Sequence, residues 1–121
     1  MKAVVIKTTG NIYPVTLTKP LHNSVRTILN DYFEIVRPIN LKRPYVMLCA
    51  ESGLLKDMPL NAIGSYLYGM HQHGNPIVGD IIIMRENSTE LVGLEDLELL
   101  RIQSQMSALW DMLNELQEVE E

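Results

Sequence analysis

The stretch YVMLCA, residues Tyr45–Ala50, decides how the rest of the chain is interpreted. Its six side chains are apolar or aromatic, and they lack the apolar–polar alternation of a strand with one wet face. A loop ending at Pro44 precedes it, and the turn residues Glu51, Ser52 and Gly53 follow it. The stretch therefore predicts a central strand that is buried on both faces.

The first seventeen residues predict a β-hairpin. A β-branched run fills residues 2–8, and apolar side chains alternate through residues 11–17. The turn residues at positions 9–11 join the two strands. Because Pro14 has no N–H to donate to a neighbouring strand, we expect the second strand at an edge of the sheet or bulged there.

A short helix and a third strand are predicted next. Thr18 is expected to be the N-cap, with Pro20 in the first turn. Asn30 and Asp31 end the helix, and residues 32–37 predict a strand. The apolar residues at helical spacing are Leu21, Val25, Ile28 and Leu29.

The chain after Tyr45–Ala50 predicts a second helix and another strand. Residues 54–60 are expected to be extended, and Asn61 is expected to cap a helix that Gly69 helps to end. Residues 71–76 are expected to form a loop. Residues 77–85 predict a strand with a kink or bulge at Gly79 and Asp80.

A long helix is predicted at the C-terminal end, about residues 95–117, because neither Pro nor Gly occurs from Leu94 onward. Residues 91–92 could add a short strand before it. The chain thus predicts an α+β fold, with a mostly antiparallel sheet of about five or six strands, two short helices and one long C-terminal helix. Residues 1–93 would form the sheet core, and residues 94–121 the amphipathic helix with its acidic tail, within one domain.

The long helix carries apolar residues at alternating steps of three and four. A helix that covers its own sheet has a broad apolar face, whereas one that pairs with a second chain has a narrow seam. We expect partial use of both, and hence a homodimer. The expected dimer interface comprises Leu99, Ile102, Met106, Leu109, Trp110, Leu113 and Leu116.

Composition limits the classes of function. Of the 121 residues 46% are apolar and 21% charged, as is typical of a globular domain, and the net charge is −5. This acidic total disfavours nucleic-acid binding, although residues 1–45 carry seven Lys or Arg against two acids. No apolar run approaches the roughly 20 residues of a membrane-spanning helix. We therefore expect a cytoplasmic protein without a membrane partner.

The histidines and the single cysteine do not predict a metal centre. His71 and His73 stand together in the expected loop, but no third ligand follows at a zinc-site spacing. A surface loop is the favoured interpretation, and we expect neither a metal nor another cofactor. Cys49 lies inside the apolar stretch, where a thiol usually behaves as a small buried side chain.

A cluster of aromatic and basic residues between positions 32 and 45 allows a ligand site. Such residues can stack a base and hold a phosphate, although core aromatic residues beside surface cations are the commoner arrangement. A pocket for a small anionic ligand could form at the dimer interface. Its candidate residues are Arg37, Arg43, Tyr66, His71 and His73.

Three short motifs resemble an uncharacterised family of small phage and mobile-element proteins, known as domain of unknown function 3846. They are Glu51-Ser52-Gly53, Met58-Pro59-Leu60-Asn61 and Ile77-Val78-Gly79-Asp80. The segment DYFEIVRP at residues 31–38 is also similar, whereas Asn30-Asp31 stands where the family tends to have paired glycines. The resemblance covers about residues 20–100. It implies a phage, prophage or plasmid origin and an accessory role, but no activity.

Three functions follow in order of preference. The first is a non-catalytic accessory protein that binds a host protein, which requires an exposed apolar or charged face. The second is a protein that binds or sequesters a nucleotide signal, which requires a concave basic site. The third is a hydrolase or metal enzyme that uses His71, His73 and Asp80.

Overall fold

The computed structural model describes residues 1–120, with side chains described at all of them except 71, 73 and 117–120. The strands in this part of the chain are β1 (Lys2–Ile6), β2 (Ile12–Thr16), β3 (Phe33–Val36), β4 (Tyr45–Ala50), β5 (Ile81–Asn87) and β6 (Glu90–Val92). The helices are α1 (Leu21–Leu29), α2 (Ala62–Tyr68), the single turn α3 (Met70–His73) and α4 (Asp96–Glu120).

The strands form one sheet in which every neighbouring pair is antiparallel. The order is β2-β1-β5-β4-β3, and the short β6 pairs with the end of β5. β4 is an interior strand, and its residues from Val46 onward are buried, while β5 takes the middle position. The predicted α+β fold, its antiparallel sheet and its long C-terminal helix are confirmed. Pro14 lies in the edge strand β2, as its missing N–H predicts.

Helices cover both faces of the sheet, which explains the unbroken apolar stretches. Successive strand residues point to opposite faces, so Val4 and Ile6 lie on one side of β1 while Ala3 and Val5 lie on the other. The first side packs against α2 and α4, and the second against α1. The buried helix residues in these two clusters are Ile63 and Leu67 of α2, Ile102 and Met106 of α4, and Val25 and Leu29 of α1.

The long helix α4 uses its apolar seam to cover its own sheet. Ile102 and Met106 are buried there, so these two residues of the expected dimer interface lie inside the protomer. Leu99, Leu109, Trp110 and Leu113 pack against the same core and are half-buried, whereas Leu116 is exposed. The seam therefore serves the protomer first, and only its outer part is accessible to a second chain.

The start of α1 differs from its prediction. The N-cap position is Pro20, which has no side-chain acceptor, and Thr18 lies outside the helix. Thr18 is instead tied to the helix by Ser24, whose Oγ accepts from the Thr18 N–H at 3.1 Å and donates to the Thr18 carbonyl at 2.8 Å. The predicted end is confirmed, because Asn30 adopts the left-handed conformation that terminates helices.

Three predicted segments between β4 and β5 also differ. The segment predicted to be extended, residues 54–60, is so only at its end: backbone hydrogen bonds from Lys56 to Ser52 and from Met58 to Gly53 fold residues 51–57 into successive turns, whereas Leu60 makes an antiparallel bridge with Val78. The expected loop at 71–76 begins as the helical turn α3 (Met70–His73). The strand predicted from residue 77 starts only at Ile81, because the positive φ of +79° at Gly79 interrupts it at the position of the predicted kink.

Candidate functional site

Asn61, the last residue of the motif at residues 58–61, links three segments of the fold through its side chain. Its Oδ1 accepts from the Gly64 N–H at 2.9 Å and so caps α2, as predicted. Its Nδ2 donates to the carbonyls of Ile6 and Gly79, both at 3.0 Å. One buried amide thus joins β1, α2 and the segment before β5, a structural role that leaves it no free polar group.

Three residues of the predicted ligand site, Arg37, Arg43 and Tyr66, have described side chains, and within one chain they do not line the same recess. The Nη2 of Arg37 donates to both carboxylate oxygens of Glu86, at 2.7 and 2.8 Å, and Arg43 lies beside the same recess of about 200 Å³. Tyr66 lines a different groove, between the loop before β4 and α4, together with Lys42 and Arg101. Tyr45 borders both recesses and separates them. The predicted cluster is therefore divided between two surfaces.

The side chains of His71 and His73 lie outside the described residues. The third residue proposed to act with them, Asp80, accepts a hydrogen bond from the Thr8 N–H at 3.0 Å and holds the end of β1. Among the side chains that the structure describes, no three His, Cys, Asp or Glu residues lie close enough to share a metal ion.

Cys49 is buried in β4, as predicted. Burial, with a smaller contribution from the Glu34 carboxylate, raises the pKa of its thiol from 9.0 to about 12. Nucleophilic cysteines need the opposite shift, because the thiolate is the reactive form. At neutral pH this thiol is therefore a packing group.

The surface with the clearest functional features is the turn at residues 51–58, here called the leucine turn. The carboxylate of Asp31 fixes its base: one oxygen accepts from the Ser52 N–H at 2.8 Å, and the other accepts from the Tyr32 N–H at 2.8 Å. The ammonium of Lys56 lies 3.2 Å from the same carboxylate and donates to the Asn30 carbonyl at 3.3 Å. These bonds fasten the turn to the end of α1 and the start of β3.

The electrostatics of Asp31 match this bracing role. Its side chain is only 3% exposed, and the hydrogen bond from the Ser52 N–H is the main reason why its pKa lies below the ordinary value of 3.8. Burial opposes this effect, while Lys56 and the Tyr32 N–H reinforce it. The ionised carboxylate is thus the form that the fold uses.

The leucine turn presents two apolar side chains to solvent. Leu54 is 67% exposed and Leu55 is 91% exposed. The backbone around them is nevertheless fixed, because the N–H groups of residues 56 and 58 donate to the carbonyls of residues 52 and 53. Beside them lies a mostly apolar recess of about 320 Å³, whose walls include Ile77, Val78 and the carboxylate-bearing residues Glu34 and Glu51. The recess adjoins β3, the edge strand of this side of the sheet.

The sequence interpretation missed this surface. Two adjacent leucines match neither the period of a strand nor that of a helix, and the pattern of residues 54–60 does not predict the turn. The one available signal was that mismatch, since Leu54 and Leu55 have no regular element that would bury them.

The fold and its surfaces define a small three-layer α+β domain with an apolar turn at one edge. The chain belongs to the family named Domain of unknown function (DUF3846), whose model matches residues 1–107. The family resemblance inferred from the three short motifs is thereby confirmed. Neither a curated protein nor a solved structure shows significant similarity to the chain. None of the helices in the described residues is both long enough and apolar enough to cross a membrane.

Proposed function

We propose that this protein acts by binding another protein, without catalysis, through the leucine turn and the adjoining edge of β3. The observation that carries the proposal is the exposure of Leu54 and Leu55 on a braced turn. Burying a leucine side chain stabilises a protein by about 1.5–3 kcal/mol. Two adjacent leucines that forgo this stabilisation favour a surface that is used in contact with a partner.

The chemistry of the surface defines the kind of partner. The outer edge of β3 pairs with no strand in the described part of the chain, so it offers backbone N–H and carbonyl groups to an extended segment. The apolar recess beside it accepts a side chain of that segment. Glu34 and Glu51 line the recess, and no Lys or Arg of the described residues does. The partner that fits is a protein with an extended apolar segment flanked by Lys or Arg.

Site-specific photo-crosslinking in the native host tests this proposal. A benzophenone amino acid is placed at position 55 and, as a matched control, at position 97, because Leu97 is also apolar and 81% exposed but lies on α4. We expect a specific crosslinked protein from position 55 that position 97 does not capture. The captured protein is then purified for affinity measurements.

The affinity measurements decide whether the leucine turn is the contact. Leu55→Glu should weaken binding of the purified partner by about tenfold or more, since it puts a charge into an apolar contact. Leu97→Glu should leave the affinity nearly unchanged. Equal capture from both positions, or equal weakening by both substitutions, would contradict the proposal.

The origin of the protein and its oligomeric state are part of the same proposal. The resemblance suggests a phage or mobile-element origin, which would make the partner a host protein. A homodimer would use the outer part of α4, where Leu113 borders an apolar recess of about 290 Å³ with Leu60 and Met70 and where Leu116 is exposed. Sedimentation velocity on the purified protein tests the dimer independently of the partner.

A further inference from the structure

A second surface, the groove between the loop before β4, the end of α2 and α4, has the features of a ligand site. Its loop wall is fastened to α2 by Asn40, whose N–H donates to the Leu67 carbonyl at 2.9 Å and whose Nδ2 donates to the Tyr66 carbonyl at 2.8 Å. Leu67 and Met106, both buried, border the groove, which has a volume of about 460 Å³. This volume lies within the usual range of small-molecule sites, roughly 300–1,000 Å³.

The charge of the groove is opposite to that of the whole protein. Lys42 and Arg101 line it and none of the described carboxylates does, although the chain carries a net charge of −5. Lys42 is exposed and makes no ion pair with any side chain that the structure describes. Its charge is thus available to an anion.

The second cation, Arg101, is held in place by a chain of polar contacts. Its guanidinium donates to the Tyr45 hydroxyl and lies 5.7 Å from the centre of the Tyr45 ring. The hydroxyl in turn donates to Glu98 at 2.6 Å, and Arg85 pairs with the same carboxylate at 2.9 Å. Because Arg85 compensates Glu98, the positive charge of Arg101 remains for a ligand. A cation positioned in advance loses less side-chain entropy on binding.

The same groove provides flat and apolar contacts. Tyr45 and Tyr66 line it with Leu109, and the amide-bearing residues Asn40 and Gln105 line it as well. Aromatic rings beside cations suit a ligand that has both a planar ring and a phosphate. We propose that this groove binds a small planar anion of the mononucleotide class, with its phosphate on Lys42 and Arg101 and its ring against Tyr66 and Leu109.

Isothermal titration calorimetry tests this site with AMP and GMP as probes, and with inorganic phosphate and adenosine as comparators. We expect a nucleotide to bind more tightly than phosphate or adenosine alone. Lys42→Ala and Arg101→Ala should each weaken that binding by about tenfold. Lys42→Ala is the cleaner variant, because this exposed side chain makes no ion pair among the described residues.

Arg26→Ala is the matched control, since Arg26 also lies over a tyrosine, 4.1 Å from the centre of the Tyr32 ring, but on another surface. It should leave nucleotide affinity within about twofold. Three results would overturn the proposal: no nucleotide binding at millimolar concentration, phosphate binding as tightly as the nucleotides, or equal weakening by Arg26→Ala. None of them bears on the leucine turn, whose test uses a protein partner.

Discussion

The two edge strands of the sheet, β2 and β3, have different surroundings. At the β2 edge, Pro14 removes a backbone donor, and α4 packs against β2 and places Trp110 on the hairpin turn at Gly10. At the β3 edge the helix in contact is the short α1, and the neighbouring turn exposes Leu54 and Leu55. Apolar side chains of the chain itself pack at the β2 edge, whereas those beside the β3 edge face solvent.

This difference indicates which edge is available for pairing. Edge strands invite association unless proline, charge or covering elements prevent it. Pro14 and α4 supply these protections to β2. The β3 edge is short and carries Glu34, which limits unspecific pairing but leaves room for a partner that complements the carboxylate. A specific contact is therefore favoured at β3 and disfavoured at β2.

The largest loss of stability is expected from Gly10→Ala, at the β2 edge. Gly10 has a φ of +92°, and an added Cβ would overlap the Trp110 ring. The left-handed backbone costs a residue with a Cβ about 1–2 kcal/mol, and overpacking costs about 1–3 kcal/mol more. We expect the free energy of unfolding, measured by urea denaturation, to fall by about 3 kcal/mol.

Gly74→Ala separates the two causes of this loss. Gly74 also has a positive φ of +80°, but, its chain neighbours aside, an added Cβ would meet no atom of the described residues within 4 Å. This variant should lose only the backbone part, about 1–2 kcal/mol. Equal losses in the two variants would show that Trp110 does not press on the turn and that the β2 edge is less firmly closed than the structure indicates.

A smaller loss of stability, with a distinctive pH dependence, is expected from Asp31→Asn, near the β3 edge. The folded pKa of Asp31 lies below 3.8, mainly because of the Ser52 N–H, so its carboxylate stabilises the fold above about pH 4. That contribution is lost as the pH falls through the folded pKa. The Asn variant should be less stable at neutral pH, and its unfolding midpoint in urea should change less below pH 4 than that of the unmodified protein.

Asp57→Asn is the control for this prediction. Asp57 belongs to the same leucine turn, but its side chain is exposed and lacks the bonds that hold Asp31. Its substitution should leave the acid dependence of stability as it is. If Asp31→Asn has an unchanged pH profile, another group braces the leucine turn.

The regular elements could be predicted from the sequence because each carries a periodic signal. The run Tyr45–Ala50 forms a strand with the predicted bounds, and Asn61 caps α2 as its position indicates. The leucine turn could not be predicted, because the hydrogen bond from Ser52 and the ion pair from Lys56 join Asp31 to residues 21 or more positions away. The groove was missed in part for the same reason: Arg101 reaches Tyr45 only after α4 folds back on the sheet.

The smallest effect on stability is expected from Leu55→Glu, and that smallness is informative. Leu55 is 91% exposed, so replacing it should change the free energy of unfolding by no more than about 0.5 kcal/mol in urea denaturation. The matched variant Leu97→Glu should behave alike. A loss above about 1 kcal/mol for Leu55→Glu alone would mean that this side chain packs within the fold. An unchanged stability together with weakened partner binding would assign Leu55 to the contact, because a residue that the fold does not need then has its effect only on the complex.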